Sequence, residues 1–209
     1  MDPLFNHRKD YSKSTLSEEN IVTEPIAQFK IWLKQAIDIL GFDGNAMIIS
    51  TVDKNLMPSS RVVLLKNIDD GFWFFTNYDS KKAQHISYNP QASLLFFWHT
   101  LERQVRIEGQ IKKLSKSISK EYFEQRPIES RLGAVISPQS AIIPNRQWLD
   151  ERFNQMLKTN IKPKKPNNWG GYKLIPQYFE FWQGGKHRLH DRIVYQKTGK
   201  TWKIMRLAP

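Results

Sequence analysis

The strongest constraint on the fold is a series of short β-type segments that follow one another along the chain. Alternating or short continuous runs of apolar residues predict strands, and here they cover 46–52, 56–67, 72–76, 92–98, 103–114, 171–182, 188–196 and 201–207. The turn residues between neighbouring strands include Asp53-Lys54-Asn55, Asp69-Asp70-Gly71 and Thr198-Gly199. Because strands joined by short turns pair in an antiparallel manner, the sequence predicts an antiparallel barrel.

One long helix is predicted before the first strand. Thr23 is its expected N-cap, Pro25 lies in its first turn and Gly41 follows its last turn. Its apolar residues recur at helical spacing and are Phe29, Trp32, Leu33, Ala36, Ile37 and Leu40. We therefore expect one face of this helix to pack on the core.

Shorter helices are predicted around the barrel, at 80–88, 116–125 and 145–158, with Pro127 ending the second of them. Residues 1–22 carry no such pattern, and we expect them to form a flexible N-terminal arm. Residues 23–209 are then expected to be a single domain, mainly β with flanking helices.

The charge of the chain bears on its ligands. There are 32 Lys and Arg residues against 20 Asp and Glu residues, a formal net charge of +12, and such an excess is compatible with nucleic-acid binding. Part of it lies in 158–165, a segment that Pro163 interrupts, and the other cations form short clusters beside hydroxyl groups and glycines. This pattern favours small phosphorylated ligands over nucleic acid.

The sequence also excludes several classes of site. It contains no cysteine, which rules out disulfides, thiolate nucleophiles and Cys-ligated metals. No apolar run has the length of a signal peptide or of a membrane span. We expect a cytoplasmic protein that has no membrane partner.

Two lysines at the start of a predicted helix are the first candidate anion site. Lys81 and Lys82 follow Ser80, so they would face the positive end of the helix dipole. A bound phosphate would make this arrangement favourable. The alternative is a pair of exposed lysines that carry a small energetic penalty.

A second candidate site comes from spacing around the predicted helix end. Tyr122 and Arg126 are four residues apart and share a helix face, and Ser130 follows at the same interval. A phenol, a guanidinium and a hydroxyl could together bind a phosphate, although an ordinary exposed helix end would have the same spacing.

Two further segments carry weaker signals. Arg61 and Lys66 are five residues apart and would point to opposite faces of a regular strand. They would then serve two ligands, or the strand is bulged, or one of them is exposed. Gln139 and Ser140 offer an amide and a hydroxyl in a loop.

The run 181–192 is the most distinctive segment. If the residues after Gly184 and Gly185 form a strand, Arg188, His190 and Arg192 share one face. Such a face would suit an anionic, aromatic small molecule, and the alternative is a solvated strand face. Because the neighbouring arginines disfavour a cation, we expect no metal here. The sequence shows no nucleophile or acid–base motif, so a cofactor is expected to supply the chemistry.

These segments make the chain similar to the pyridoxine/pyridoxamine 5′-phosphate oxidase family. The run 181–192 is highly specific for that family, and the other matching segments, in the family's order, are 61–66, 80–83, 98–105, 122–130, 169–171 and 206–209. The resemblance extends over nearly the whole chain.

The resemblance implies an FMN-binding split β-barrel that forms a homodimer with two FMN sites, each lined by both subunits. The residues implied to hold FMN are Arg61, Val62, Val63, Leu64, Leu65, Lys66, Phe75, Thr76, Lys81, Lys82, Gln104, Gln139, Ser140, Trp182 and Arg192. The residues implied to contact substrate are Arg8, Lys9, Asp10, Tyr11, Lys66, Tyr122, Arg126, Ser130, Arg188, Leu189 and His190. Arg188 and His190 are the implied catalytic residues, and 8–11 would be a mobile segment that closes on substrate.

The implied reaction oxidises pyridoxine 5′-phosphate or pyridoxamine 5′-phosphate to pyridoxal 5′-phosphate. Hydride passes to the flavin, and dioxygen then gives hydrogen peroxide. The chain departs from the common pattern at Phe75, where Tyr is usual, at Lys81, where Arg is usual, and at Lys9-Asp10, which replace Arg-Glu. The alternative is another FMN split-barrel oxidoreductase with a different substrate.

Overall fold

The computed structural model describes residues 4–6, 9–159 and 161–209. Within them the strands are β1 (Ala46–Val52), β2 (Pro58–Leu64), β3 (Asn67–Ile68), β4 (Phe72–Asn77), β5 (Gln91–Trp98), β6 (Arg103–Lys113), β7 (Trp169–Gln183), β8 (Asp191–Thr198) and β9 (Thr201–Arg206). The helices are α1 (Pro25–Leu40), α2 (Lys81–Tyr88), α3 (Lys116–Gln125), α4 (Ile128–Ile136) and α5 (Arg146–Lys158). None of these helices is both long and apolar enough to cross a membrane.

All the strand pairs are antiparallel, as predicted, and they form one sheet in the order β2-β1-β5-β6-β7-β4-β3. The long strand β7 organises this sheet. One edge of β7 pairs with β6, while its other edge pairs first with β4, through 169–174, and then with β8, through 178–183. Strand β9 extends the sheet beyond β8. The sheet therefore divides at β7 into two branches.

Aromatic rings from α1 and from the sheet pack together in the core of the barrel. Phe29 of α1 makes edge contacts with Phe72 and Phe96, at ring-centroid distances of 5.0 and 4.8 Å. Trp32, one turn further along α1, packs its edge against Phe181 of β7 at 5.3 Å. The predicted apolar stripe thus packs α1 on the sheet, apart from Ile37, which is 43% exposed. Buried aromatic surface contributes strongly to stability.

A bulge in β6–β7 pairing bends the long strand. Glu108 pairs with Tyr178 and Gly109 pairs with Pro176, so one residue of β7 is left without a partner. A Cβ atom at residue 109 would collide with the carbonyl oxygen of Ile175. Only glycine therefore fits at this point of the sheet.

Several predicted boundaries were wrong. The strand expected at 188–196 begins at Asp191, because Lys186–Arg188 forms a 3-10 turn in which His187 and Arg188 have positive φ angles of 54° and 64°. Arg188, His190 and Arg192 therefore do not share a strand face.

Other elements also differ from the prediction. Helix α4 was missed, since Pro127 indicated an end and not the N-terminal flank of a new helix. The strand expected at 56–67 is divided, since β2 covers Pro58–Leu64 and Asn67 begins the separate strand β3. Helix α1 begins one residue later than expected, with Glu24 at the N-cap position in place of Thr23.

The described part of the predicted N-terminal arm lies against the barrel. Leu16 belongs to the hydrophobic core, and its backbone N–H donates to the Asp191 carboxylate at 2.9 Å. Tyr195 donates from its hydroxyl to the carbonyl oxygen of Val22 at 2.7 Å. Residues 16–22 therefore lie alongside β8.

We predict that Gly109→Ala destabilises the protein by about 1–3 kcal/mol, because the added methyl group overpacks the bulge. In a chain of this size this corresponds to a melting temperature roughly 2–12 °C lower. Gly133→Ala is the control: a Cβ there has no neighbour within 4 Å, and alanine in a helix interior is favourable by up to about 1 kcal/mol. Equal melting temperatures for the two variants would contradict this description of the bulge.

Candidate active site

A cavity of about 890 Å³ opens between β2, β4 and the helices α3 and α4. Many of the residues predicted to bind ligands line it, and these are Arg61, Val62, Val63, Leu64, Lys66, Phe75, Thr76, Lys82, Tyr122, Arg126, Ser130 and Gln139. Leu65 differs from its neighbours, since its side chain lies in the hydrophobic core. We call this the first cavity.

Four cationic side chains line the first cavity, namely Arg61, Lys66, Lys82 and Arg126. None of them forms an ion pair with a carboxylate in the described part of the chain. Burial lowers the pKa of Arg61, Lys66 and Arg126, and the nearby Arg126 lowers that of Lys66 further. Burial, followed by the charge of Arg61, lowers the pKa of Lys82 to about 8. Lys82 is buried, Arg61 and Arg126 are half-buried and Lys66 is exposed. Because cations withdrawn from water without a counter-charge are costly, the arrangement suits bound anions.

Neutral side chains hold two of these cations in place. Arg61 donates to the hydroxyl oxygens of Thr51 and Ser59, both at 2.7 Å. The Lys82 ammonium donates to the Thr76 hydroxyl and to the Gln139 amide oxygen, both at 3.0 Å. These contacts orient the cations without neutralising their charge.

The cations of the β2 segment reach the first cavity together, although they are five residues apart. Arg61 lies within β2, which ends at Leu64. Lys66 lies beyond the strand end, and its backbone N–H donates to the carbonyl oxygen of Trp73 at 2.9 Å. Strand alternation therefore does not decide where the Lys66 side chain points.

The spacing of Tyr122, Arg126 and Ser130 does bring them to one place. Helix α3 ends at Gln125 and α4 starts at Ile128, so the three residues lie on either side of a helix–helix junction. The Nη1 atom of Arg126 is buried and has no hydrogen-bond partner within the described residues. A ligand with acceptor oxygens would satisfy it.

An aromatic stack supports this end of the first cavity. The rings of Phe75 and Tyr122 stack at a centroid distance of 3.9 Å, and Tyr122 is parallel to Trp169 within 7°. The Arg126 guanidinium carbon lies 4.9 Å from the Trp169 ring centroid, a cation–π contact. Trp169 was not among the predicted site residues, and the only signal for it was its place before Gly170 and Gly171.

A second cavity of about 660 Å³ adjoins the first, and Gln139 lines both. Lys81 and Ser140 line this second cavity, together with His85 and Tyr88 of α2. Lys81 and Lys82 are separated in this way because consecutive helix residues point about 100° apart. The two lysines predicted to share one phosphate therefore face different spaces.

A further group of predicted residues lies at the other end of the sheet. Gln104, Trp182 and Arg192 are direct cross-strand neighbours on β6, β7 and β8, so their side chains share a face. None of them lines either cavity. From Trp169 to Trp182, the strand β7 extends by roughly 40 Å at about 3.3 Å per residue.

Arg192 is fixed by a buried carboxylate. Its Nε donates to Glu180 at 2.9 Å and its Nη1 donates to the carbonyl oxygen of Ala208 at 2.7 Å. The hydrogen bond to Glu180 is the main reason that the pKa of Arg192 is raised. Glu180 also accepts from Arg106 at 3.0 Å.

The turn after β7 carries the predicted catalytic residues. His190 accepts the Gly185 backbone N–H through Nδ1 at 3.1 Å, and its ring lies 4.7 Å from that of Trp182. Arg188 and Leu189 are exposed on this turn. The neighbouring Asp191 forms an ion pair with Arg206, and no cluster of metal-ligating side chains occurs in the ranges that the structure describes.

The predicted substrate-closing segment lies at this same end. The Tyr11 ring makes an edge contact with Trp182 at 5.7 Å and lies 5.9 Å from His190. The Lys9 ammonium is 3.7 Å from the carboxylate of Glu102, and Asp10 is exposed. Arg8 was predicted to belong here and lies outside the described residues.

Comparison with known proteins identifies the family. Residues 35–160 match the family model described as pyridoxamine 5′-phosphate oxidase. The chain belongs to this oxidase family. Residues 169–209 match a second model, the pyridoxine 5′-phosphate oxidase C-terminal dimerisation region. The protein is therefore an enzyme of the oxidoreductase class, as the resemblance of its motifs implied.

Individual members of the family are similar to this chain over its full length. The chain is 48% identical over 212 residues to the pyridoxine/pyridoxamine 5′-phosphate oxidase of Polynucleobacter asymbioticus and 44% identical over 214 residues to that of Burkholderia mallei, each alignment covering 100% of both chains. Relatives this similar over their whole length strengthen the family assignment.

Solved structures confirm the predicted fold class. PhzG from Burkholderia lata, in complex with tetrahydrophenazine-1-carboxylic acid, superposes with a TM-score of 0.88 and 29% identity, covering 93% of this chain and 98% of that one. A pyridoxamine 5′-phosphate oxidase-related, FMN-binding protein from Nostoc punctiforme gives 0.72 at 16% identity, covering 89% and 98%. The fold is the split barrel of this family.

Proposed function

We propose that this protein is an FMN-dependent oxidase that converts pyridoxine 5′-phosphate and pyridoxamine 5′-phosphate to pyridoxal 5′-phosphate, with dioxygen as acceptor and hydrogen peroxide as product. The observation that carries the proposal is the set of four unpaired cations in the first cavity. They form two neighbouring groups, which suits two phosphorylated molecules, a cofactor and a substrate. The full-length relatives named for this activity support the choice of substrate.

The cofactor phosphate is assigned to Arg61 and Lys82. Both are oriented by neutral hydroxyl and amide groups, so their positive charge remains available to a dianion. The volume of about 890 Å³ is large enough for a cofactor and a small substrate together. Bound FMN would accept the hydride that leaves the substrate's 4′-carbon.

The substrate phosphate is assigned to Lys66, Tyr122, Arg126 and Ser130. Within this group, the buried Nη1 of Arg126 lacks a hydrogen-bond partner among the described residues, which a phosphate oxygen would supply. Trp169 lies against the Arg126 guanidinium and limits its movement. The protein thus holds the substrate by its phosphate, at a fixed distance from the cofactor site, and orientation of this kind supplies a large part of catalysis.

We further propose that two subunits complete each site. Gln104, Trp182 and Arg192, with Arg188 and His190 on the adjacent turn, are about one strand length away from the first cavity of their own chain. A second copy related by two-fold symmetry can bring its own set to that cavity. Arg188 and His190 would then orient the pyridine ring and assist the departure of the proton from the 4′ oxygen or nitrogen.

A second candidate function is oxidation of a different substrate on the same fold. The likeness to PhzG, which holds a phenazine carboxylic acid in its crystal structure, favours keeping this candidate. It would not require Tyr122, Arg126 and Ser130 to line one cavity together. Dependence of turnover on the substrate's phosphate therefore separates the two candidates.

We predict that Arg126→Ala weakens binding of pyridoxine 5′-phosphate about 10- to 100-fold, since a charge-assisted hydrogen bond contributes about 1.5–3 kcal/mol. Steady-state kinetics and titration of the FMN-loaded enzyme would measure this. Unphosphorylated pyridoxine should be a poor substrate of the native enzyme and lose little more on mutation. Lys120→Ala, which removes a charge from an exposed face of α3, is the control. Equal losses for both substrates would contradict the assignment.

We also predict that the apoenzyme's affinity for FMN falls as pH rises through about 8. Lys82, whose pKa burial lowers to about 8, binds the phosphate only in its protonated form, which is present below that pH. The dissociation constant should therefore be about tenfold higher at pH 9 than at pH 7. Lys82→Arg, which stays charged, should abolish the dependence, and riboflavin should not show it. The same pH dependence for riboflavin would exclude Lys82 as the phosphate ligand.

A further inference from the structure

Glu102 occupies a strained position before β6 and is almost completely buried. Its φ and ψ angles of 55° and 39° lie in the left-handed region, which is unfavourable for a residue other than glycine. The residue is only 2% exposed. Glycine would adopt these backbone angles more readily than glutamate does. The contacts of the Glu102 side chain indicate what it contributes at this position.

The carboxylate of Glu102 binds the backbone of the N-terminal segment. Its Oε2 accepts the N–H groups of Ser12 and Lys13 at 2.8 and 3.0 Å, and its Oε1 lies 3.7 Å from the Lys9 ammonium. Burial would raise the pKa of Glu102, but these N–H groups together with the charges of Lys9 and Lys13 lower it below its ordinary value. The group is therefore an anion at neutral pH.

The backbone of Glu102 binds the end of β7. Its carbonyl oxygen accepts the Gly184 N–H at 2.8 Å and the side-chain amide of Gln183 at 3.1 Å. One residue thus connects the N-terminal segment with the turn that carries the proposed catalytic residues.

Tyr11 lies between these two anchored elements. A Cβ atom on Gly184 would be 2.6 Å from both Cβ and Cγ of Tyr11, so the tyrosine rests directly on the bare glycine backbone. Its ring contacts Trp182 and His190. The position of Tyr11 is therefore defined on one side by Gly184 and on the other by the hydrogen bonds of residues 12 and 13.

We propose that Glu102 is a positioning residue: its carboxylate accepts the backbone N–H groups of Ser12 and Lys13 and thereby holds Tyr11 over Trp182 and His190. We call this pair of hydrogen bonds the clasp. The proposal rests on the proposed function in that it assigns Trp182 and His190 to the active site. Tyr11 then covers the substrate ring and helps to exclude water from it.

The clasp acts only on a short stretch of chain. Residue 16 is anchored separately, because the Leu16 N–H donates to Asp191 and Arg206 donates to the Leu16 carbonyl oxygen at 2.9 Å. Loss of the Glu102 carboxylate should therefore free the chain before Leu16 and leave the barrel intact. This locality makes the proposal testable by cleavage at one peptide bond.

The first test is limited trypsin digestion of the FMN-loaded enzyme, with the peptide that ends at Lys13 followed by mass spectrometry. Glu102→Gly removes the carboxylate and relieves the positive φ, so it should fold while releasing that peptide at least about tenfold faster. Glu102→Gln keeps one acceptor oxygen and should be intermediate. Asp38→Asn, which alters an exposed pair on α1, is the control. Unchanged cleavage in Glu102→Gly would overturn the clasp.

The second test is kinetic. Glu102→Gly should raise KM for pyridoxine 5′-phosphate as much as Tyr11→Ala does, and the double variant should be no worse than either. FMN affinity should not change. Fully additive effects, or an unchanged KM, would show that Glu102 does not act through Tyr11. If the enzyme does not oxidise this substrate at all, the proposed function fails, while the digestion result still decides whether the clasp exists.

Discussion

The pairing of β7 with three other strands separates the two main groups of candidate ligand-binding residues. Its first half pairs with β4 and carries Trp169, which lines the first cavity, and its second half pairs with β8 and carries Trp182. The bulge opposite Gly109 lies between the part of β7 that pairs with β4 and the part that pairs with β8. One chain therefore holds two halves of a site at the two ends of one strand, and this separation is the physical reason for proposing that a dimer is the active form.

The two halves differ in how their charges are balanced. In the first cavity, Arg61 and Lys82 are held only by neutral groups, and Arg126 has an unsatisfied buried nitrogen. At the other end, Glu180 already neutralises Arg192. Because cations withdrawn from water without a counter-charge are costly, the first cavity is suited to anions, whereas the charge of Arg192 is already balanced within the chain.

Sequence periodicity predicted most of the strands and helices, and the spacing of Tyr122, Arg126 and Ser130 correctly brought these three to one cavity. It failed where the backbone leaves regular geometry. The positive φ angles at His187 and Arg188 end the alternation on which a shared strand face depended. Pro127 follows the end of α3, as predicted, but it also precedes α4, a helix that the sequence did not predict. Contacts between distant segments, such as Glu102 with Ser12 and Lys13, leave no periodic signal and needed the three-dimensional structure.

We propose that each active site combines the first cavity of one subunit with the Arg188–Arg192 end of the other, and complementation between two inactive variants can test this arrangement. One chain would carry Lys66→Ala with Arg126→Ala, the other Arg188→Ala with Arg192→Ala, and differently tagged copies would allow the mixed dimer to be purified. In that dimer one site receives all four substitutions and the other receives none. It should therefore show about half the activity of the native dimer, although both parent homodimers are nearly inactive. A mixed dimer no more active than its parents would place the whole site within one chain and exclude a site shared by two subunits.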